Sequence, residues 1–362
     1  MAIYGGAGSP ATSTFNYDSL VSSSLANYRK TLTDNISKSN PLFNELKQKD
    51  LWESRDGGLY IAEDLLINVG GMEPYDGYDE LPLVPNDGLT QLQVEWRQLA
   101  SPIVISERER KQNKHRLVSL LESRIKIAEL GMEENFTKHL LLGALAGSGT
   151  DIREPYINNA NGAASIDPLP RWVMYDPSLN YSVGNINQST QKFWRNVSKT
   201  STATSGAALL SEFMTMYQLT SKGSGGPPDL IWTDMTTWGL LHQAMMEKYR
   251  ATSSDNDYPY QNFKFWGAKV VWDEDIPDVA ANGGQGALTA DTTKGTAYFL
   301  NTKFFKIIYE SETNFVATEF QKPINQDVKG KHILWMGNTL SNNRRKQGVL
   351  GNISRTLTFS SI

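Results

Sequence analysis

Apolar residues at Leu117, Leu121, Ile125, Ala128 and Met132 recur at three- and four-residue spacing through the proline-free run Arg116 to Leu142. Glu122, Lys126, Glu129, Glu133 and Lys138 fall mostly on the other side. That period predicts a helix, roughly 40 Å long at about 1.5 Å per residue. Ser106 and Glu109 in SERERKQN have capping-box spacing and place a shorter helix just before it. Upstream the period drops to two: Leu92, Val94 and Trp96 alternate with Gln91, Gln93, Glu95 and Arg97, as in a strand. LYIAEDLLINV, after Gly57 and Gly58, is its partner limb, and a turn-rich tip, GGMEPYDGYDELPLVPNDG, joins the two. The chain from Asp56 to Trp96 therefore reads as a long two-stranded excursion.

The remaining pattern is mixed. Residues 1 to about 35 are polar, with scattered anchors such as Phe15 and Tyr28, and read either as a frayed terminus or as an arm that orders against something; LFNELKQKDLW is a short amphipathic segment. Residues 148–206 hold little regular pattern, with Trp194 as the expected packing anchor. From Ala207 helical and strand patterns alternate. ALLSEFMTMYQL turns Leu209, Phe213, Met216 and Tyr217 inward, PDLIWTD is a buried strand, and Asp234 caps a helix over MTTWGLLHQAMMEKYR. NFKFWGAKVVWDEDIP gives two short strands around Gly267; GTAYFLNT, FFKIIYES, NFVATEF and KHILWMGN continue as strands before a Gly- and Asn-rich tail.

A chain of 362 residues with 39% hydrophobic content can bury one large core or two. The absence of cysteine excludes disulfides, thiolate metal sites and a cysteine nucleophile. The N-terminal residues lack the basic start and apolar block of a signal peptide. No apolar run approaches the roughly 20 residues of a membrane helix. The expectation is a protein made in a cytoplasm, or ending in something assembled there, with no membrane partner.

Charge changes the picture more. The excursion holds nine acids, among them Asp76, Asp79 and Glu80, and no Lys or Arg; within an overall charge of −4 the rest of the chain carries +5. It is either a solvated acidic loop or an element completed by another subunit, because an isolated two-stranded hairpin is marginal in water. Leu92, Val94 and Trp96 on one face need a cover. Arg108, Arg110, Lys111, Lys114 and Arg116 form one basic cluster, and Arg344, Arg345 and Lys346 a second. These are solvated faces, or seats for a neighbour's acidic excursion, or, with less support, nucleic-acid contacts.

Enzyme chemistry finds no foothold. His115, His139, His242 and His332 show no metal-binding spacing. GSGT and GSGG lack the P-loop lysine, and no GxGxxG after a strand or GxSxG elbow is present. Asp76 with Asp79 and Glu80 could imitate an acid/base pair or cation ligands, but on a glycine-rich tip they lack the preorganisation catalysis requires. The expectation is no catalytic, cofactor or metal site.

The order of these elements, and the wording of NPLFNELKQKD, YDGYDEL, QLQVEWRQLASPIVISERERKQN, NINQSTQKFWRN, PDLIWTD, NFKFWGAKVVWDEDIP and ILWMGNTLSNNRRKQGVL, resemble the major capsid proteins of tailed phages. The resemblance spans about residues 33 to 351. It implies an α+β, Hong Kong 97-type fold: an N-arm over 1–50, an extended E-loop over 51–102, a P-domain with spine helix and long connection over 103–206, an α/β A-domain over 207–302, P-domain strands over 303–338, and a return to the A-domain over 339–362. It further implies hexamers and pentamers of this one chain, closing an icosahedral virion shell around double-stranded DNA held without sequence preference and assembled in the host cytoplasm. A portal, a separate scaffolding protein (because the chain starts almost at the arm) and a decoration protein are the implied partners. Asp76, Asp79, Glu80, Leu92, Val94, Trp96, Arg108, Arg110, Lys111, Arg344 and Arg345 are the expected inter-subunit residues. Some members weld their shells through an E-loop lysine; Asp56 to Trp96 holds none, so no cross-link is expected there. The alternatives are an encapsulin-like shell around protein cargo and a soluble α/β enzyme or binding protein.

Overall fold

The computed structural model describes residues 51–67, 74–77, 88–113, 120–147, 151–158, 162–249, 264–273, 275–276 and 294–359. The expected N-arm lies outside them. The first half of the described chain runs β1 (Trp52–Arg55), β2 (Ile61–Leu66), β3 (Leu89–Val94), β4 (Arg97–Ser106), α1 (Glu107–Gln112) and α2 (Leu120–Leu142). The connection that looked patternless holds two-residue strands β5 (Ile157–Asn158) and β6 (Ala163–Ala164), a turn of helix α3 (Leu169–Trp172), the tight pair β7 (Ser182–Val183) and β8 (Ile186–Asn187), and β9 (Val197–Thr200). Then follow α4 (Gly206–Ser221), β10 (Leu230–Thr233), α5 (Met235–Tyr249), β11 (Lys264–Phe265), β12 (Ala268–Trp272), β13 (Lys294–Leu300), β14 (Phe305–Glu310), β15 (Val316–Ala317), β16 (Val328–Ser341) and β17 (Gly348–Ser354).

The chain divides into two compact units. The smaller is built from Leu99–Asn135 and Phe315–Trp335. In it β15 pairs antiparallel with the middle of β16, Val316 opposite Leu334. Its short helix starts as the sequence predicts: the Glu109 N–H donates to Ser106 Oγ at 3.2 Å, and the Ser106 N–H donates back to the Glu109 carboxylate at 3.0 Å. In α2, Leu120 and Met132 are buried, but Leu121, Ile125 and Ala128 are only half-buried, and Ile127 is 59% exposed. The expected inward stripe is thus only partly covered, and its first residue, Leu117, lies outside the described residues.

The larger unit contains a six-stranded sheet in the order β11-β12-β10-β13-β17-β9. β10 lies parallel to β12 and antiparallel to β13; β17 is antiparallel to β13 and parallel to β9. All four residues of β10 are buried. Leu209, Phe213, Met216 and Tyr217 of α4 pack with Ile231, Phe265 and Phe299 of the sheet in one cluster, as their spacing predicts. Asp234 caps α5, accepting from the Thr237 N–H at 3.0 Å. Trp266 and Gly267, both at positive φ, form the two-residue turn between β11 and β12. In the same unit, β1 runs parallel to β14, Trp52 opposite Ile307, and β14 pairs with the second half of β16. Trp52–Arg55 thus belong to a sheet, and the two-stranded ladder begins only at Ile61.

Candidate assembly surfaces

The excursion is a regular antiparallel ladder with Ile61 opposite Val94, Glu63 opposite Leu92, Leu65 opposite Thr90 and Leu66 opposite Leu89. Side chains alternate between faces, and one face is already covered. Ile61, Leu65, Leu92 and Val94 are all under a tenth exposed. The β7–β8 turn covers Leu92. Gly184 and Asn185 both take left-handed φ, +60° and +66°, which suits a two-residue hairpin turn. A Cβ on Gly184 would lie 1.8 Å from Leu92 Cδ1, so this glycine is the socket for that leucine. The Gln93 N–H donates to the Gly184 carbonyl at 3.2 Å. Trp194 is buried behind the turn and donates to Val183 O at 3.0 Å. This corrects the sequence expectation: Leu92 and Val94 are spent inside their own chain and do not face a neighbour. Trp96, just past β3, is half-buried.

The other face of the ladder is open and changes character along its length. Ala62 and Gln93 come first, then Asp64 hydrogen-bonded to Gln91 at 3.3 Å, then Leu66 and Leu89. Those two leucines are 70% and 66% exposed, and Leu59 and Tyr75 are similarly uncovered. Asp76 is exposed, its carboxylate accepting from the Gly77 N–H; Asp79 and Glu80 lie outside the described residues. Two of the excursion's acids find arginines within the chain: Glu63 with Arg55 at 3.6 Å and Glu95 with Arg97 at 3.0 Å.

The exit of the ladder is fastened by a polar network. Asn338 donates to Glu95 O at 2.8 Å and accepts from the Asp167 N–H at 2.8 Å; Thr339 accepts from Trp172 Nε1 at 2.8 Å and donates to Asp167 O at 2.7 Å. Burial pushes the Asp167 carboxyl above its ordinary range, against the pull of Arg171 and Arg97.

The first basic cluster is partly neutralised. Arg110 pairs with Glu107 at 2.9 Å, while Arg108 and Lys111 are exposed and make no such ion pair among the described residues; Lys114 and Arg116 lie outside them. Glu107 also meets Lys329 at 3.3 Å. Burial raises the Glu109 carboxyl, but the Ser106 N–H and the Arg124 guanidinium at 3.0 Å outweigh it and hold the group below the usual carboxylate range.

The second cluster splits residue by residue. Arg345 is exposed. Arg344 is completely buried: Nε donates to Trp172 O at 2.7 Å, one terminal nitrogen to Gln188 Oε1 at 3.1 Å and the other to Asn196 Oδ1 at 3.4 Å, with the Trp194 ring 5.7 Å away. Burial among these neutral acceptors lowers its pKa to about 9. This is the second correction: Arg344 is an internal strut and cannot receive a neighbour's acid. Lys346 is likewise buried. The acceptors of Arg344 lie about 150 residues upstream in sequence. The one local hint was the density of amides around Trp194.

Among the described residues no group of three or more His, Asp or Glu is arranged to hold a metal ion, and no helix is long and apolar enough to cross a membrane. No protein-family model matches the sequence, and no curated protein matches it. Solved structures do match. The cyanophage A-1(L) capsid asymmetric unit superposes with a TM-score of 0.61 at 13% identity, covering 90% of this chain and 96% of that one. The Mycobacterium phage Ogopogo structure gives 0.55 at 12% identity, with 90% and 96% covered. The holo-SrpI encapsulin complex from Synechococcus elongatus PCC 7942 gives 0.51 at 8% identity, with 92% and 95% covered. At such identities the likeness speaks for architecture alone, and over nearly its whole length this chain has the Hong Kong 97-type capsid fold.

Proposed function

We propose that this chain is the major capsid protein of a tailed phage, a structural protein without an active site. Its copies form hexamers and pentamers that close into an icosahedral shell around double-stranded DNA, assembled in the host cytoplasm and retained in the virion. The observation that carries this reading is the open face of the excursion. Leu66 and Leu89 stand directly opposite each other, two-thirds exposed, on a ladder whose other face its own chain has finished. Exposed paired leucines on a two-stranded ribbon are a surface awaiting burial. Head-to-tail contacts of one chain close into rings when the rotation closes. In this reading the open face and the acids Asp76, Asp79 and Glu80 dock on the next copy, and Arg108, Lys111 and Arg345 remain as cations to receive them; Trp96 sits at the margin of that contact. The excursion is the E-loop, α2 the spine of the P-domain, and the six-stranded sheet the A-domain. A portal, a scaffolding protein and a decoration protein are partners this role entails.

Size-exclusion chromatography and negative-stain microscopy of the purified chain test the reading. Shells, or free hexamers and pentamers, are expected; a stable monomer at all concentrations would sink it. The triple reversal Asp76→Lys, Asp79→Lys, Glu80→Lys is expected to leave the subunit folded and block shells. The encapsulin likeness sustains one other reading, a compartment around protein cargo. Nuclease-protected DNA inside native particles supports the phage shell, and a protein cargo in its place supports the compartment.

A further inference from the structure

The excursion carries two Asp–Gly bonds with both residues described, Asp56–Gly57 and Asp76–Gly77, and all four residues are exposed. An aspartate followed by glycine has a chemistry of its own. The glycine nitrogen can attack the aspartate side-chain carbon and close a five-membered imide, because the glycine has no Cβ to obstruct the turn. Ring closure needs a near-attack geometry, so it depends on where the carboxyl group is held.

The two bonds differ in that respect. The Asp56 carboxylate accepts from the Ser311 hydroxyl at 2.7 Å, which ties it to the residue that follows β14. The Asp76 carboxylate is folded back on its own main chain, where Oδ1 accepts from the Gly77 N–H at 2.8 Å. The nitrogen that would attack already lies against the carboxyl group it would attack. Gly77 also has open space around it, since a Cβ built there meets nothing within 4 Å. The flanking Tyr75 is itself exposed, so water reaches the bond.

We infer that Asp76–Gly77 is a modification site at which the free chain converts aspartate to isoaspartate. The Gly77 nitrogen bonds to Asp76 Cγ, and the carboxyl hydroxyl leaves with the nitrogen's proton as water. A succinimide remains. A second water opens the ring at the main-chain carbonyl and breaks its bond to the nitrogen. The chain then continues through Cγ, and the former main-chain carbonyl becomes the free carboxylate. One water is released and one taken up, so mass and charge are unchanged and no cofactor or oxidant is needed. The main chain gains one carbon, and the acid moves along the loop.

The consequence for assembly rests on the shell reading above, in which Asp76 docks on the next copy. Complementary charges fix register only where they are correctly placed. The tip therefore acts as a timer: a copy that waits unassembled loses its docking acid, and a docked copy keeps it covered.

The test incubates the purified full-length chain in heavy-oxygen water and maps oxygen uptake and isoaspartate by peptide mass spectrometry. Both are expected at Asp76 and not at Asp56. Gly77→Ala, whose methyl group has room, is expected to slow the reaction severalfold. Asp76→Glu is expected to abolish it, because the larger ring closes poorly. Equal uptake at the two bonds, or none at Asp76, overturns the proposal. Aged wild-type chain is expected to form fewer shells than fresh chain under the microscope, while Gly77→Ala holds its yield severalfold longer. Aged chain rich in isoaspartate that still assembles at the fresh yield overturns the timer. Fresh chain that never forms shells counts against the shell reading alone, because the labelling is read on the free chain.

Discussion

The six-stranded sheet with its two helices and the two-stranded ladder solve the same problem to different degrees. In the sheet, Phe213 is fully buried between Phe265 and Phe299, at centroid distances of 5.9 and 5.4 Å, and every residue of β10 is inside. In the ladder only one face is inside, and the other ends in two uncovered leucines. Both regions follow their sequence periodicity. The difference is the number of surfaces the chain itself supplies: a sheet with helices packed on it finds its own cover, whereas a ribbon has two faces and here receives one turn to lie against. In the proposed shell, stability and association would therefore be carried by separate parts of the molecule.

That separation can be broken from the core outward. Phe213→Ala removes a ring from the closed cluster and is expected to cost about 3–5 kcal/mol, read as a lower denaturant midpoint, with assembly lost only because folding is. Next comes His139, whose ring stacks on Tyr156 at 4.5 Å and whose Nδ1 meets Ser165 Oγ at 2.9 Å. Burial, with Lys138 nearby, lowers its pKa to about 4. The folded state therefore holds the neutral imidazole more strongly than the unfolded chain does. Its contribution is fully present above the ordinary histidine pKa near 6.5 and is lost as pH falls toward about 4, on the order of 3 kcal/mol in all. Unfolding measured across that window should show the loss, and His139→Gln should flatten it. The smallest effect on stability sharpens the comparison most. Leu66→Ser with Leu89→Ser is expected to shift unfolding by no more than ~0.5 kcal/mol while abolishing shells. A large loss of stability from that pair would mean the open face already contributes to the lone subunit.

Features set by neighbours in sequence were legible before the fold was known. The capping box at Ser106 and Glu109, the buried strand Leu230–Thr233, the Asp234 cap and the inward face of α4 depend on residues a few positions apart. β1 was not legible, because its identity as a strand comes from lying parallel to β14, some 250 residues later. β17 hid in a tail whose glycines and asparagines suggest turns, and it is a strand because β13 and β9 flank it. Leu92 and Val94 were correctly read as one apolar face, but the turn at Gly184 that covers Leu92 is about 90 residues away. Arg344 and Arg345 are adjacent and chemically alike, so only the remote amides of Gln188 and Asn196 decide that one is a strut and the other a surface charge.

The socket at Gly184 has one more effect. With Leu92 seated there and Glu95 tied to Asn338, the base of the ribbon is fixed by its own chain. In the proposed shell, the ordering entropy of that base would be settled during folding and not charged against association, so contacts at Leu66 and Leu89 could be individually weak and still add up around a closed ring. In such a shell, weak, repeated and correctly aimed contacts would let a misplaced copy leave before its errors are sealed in.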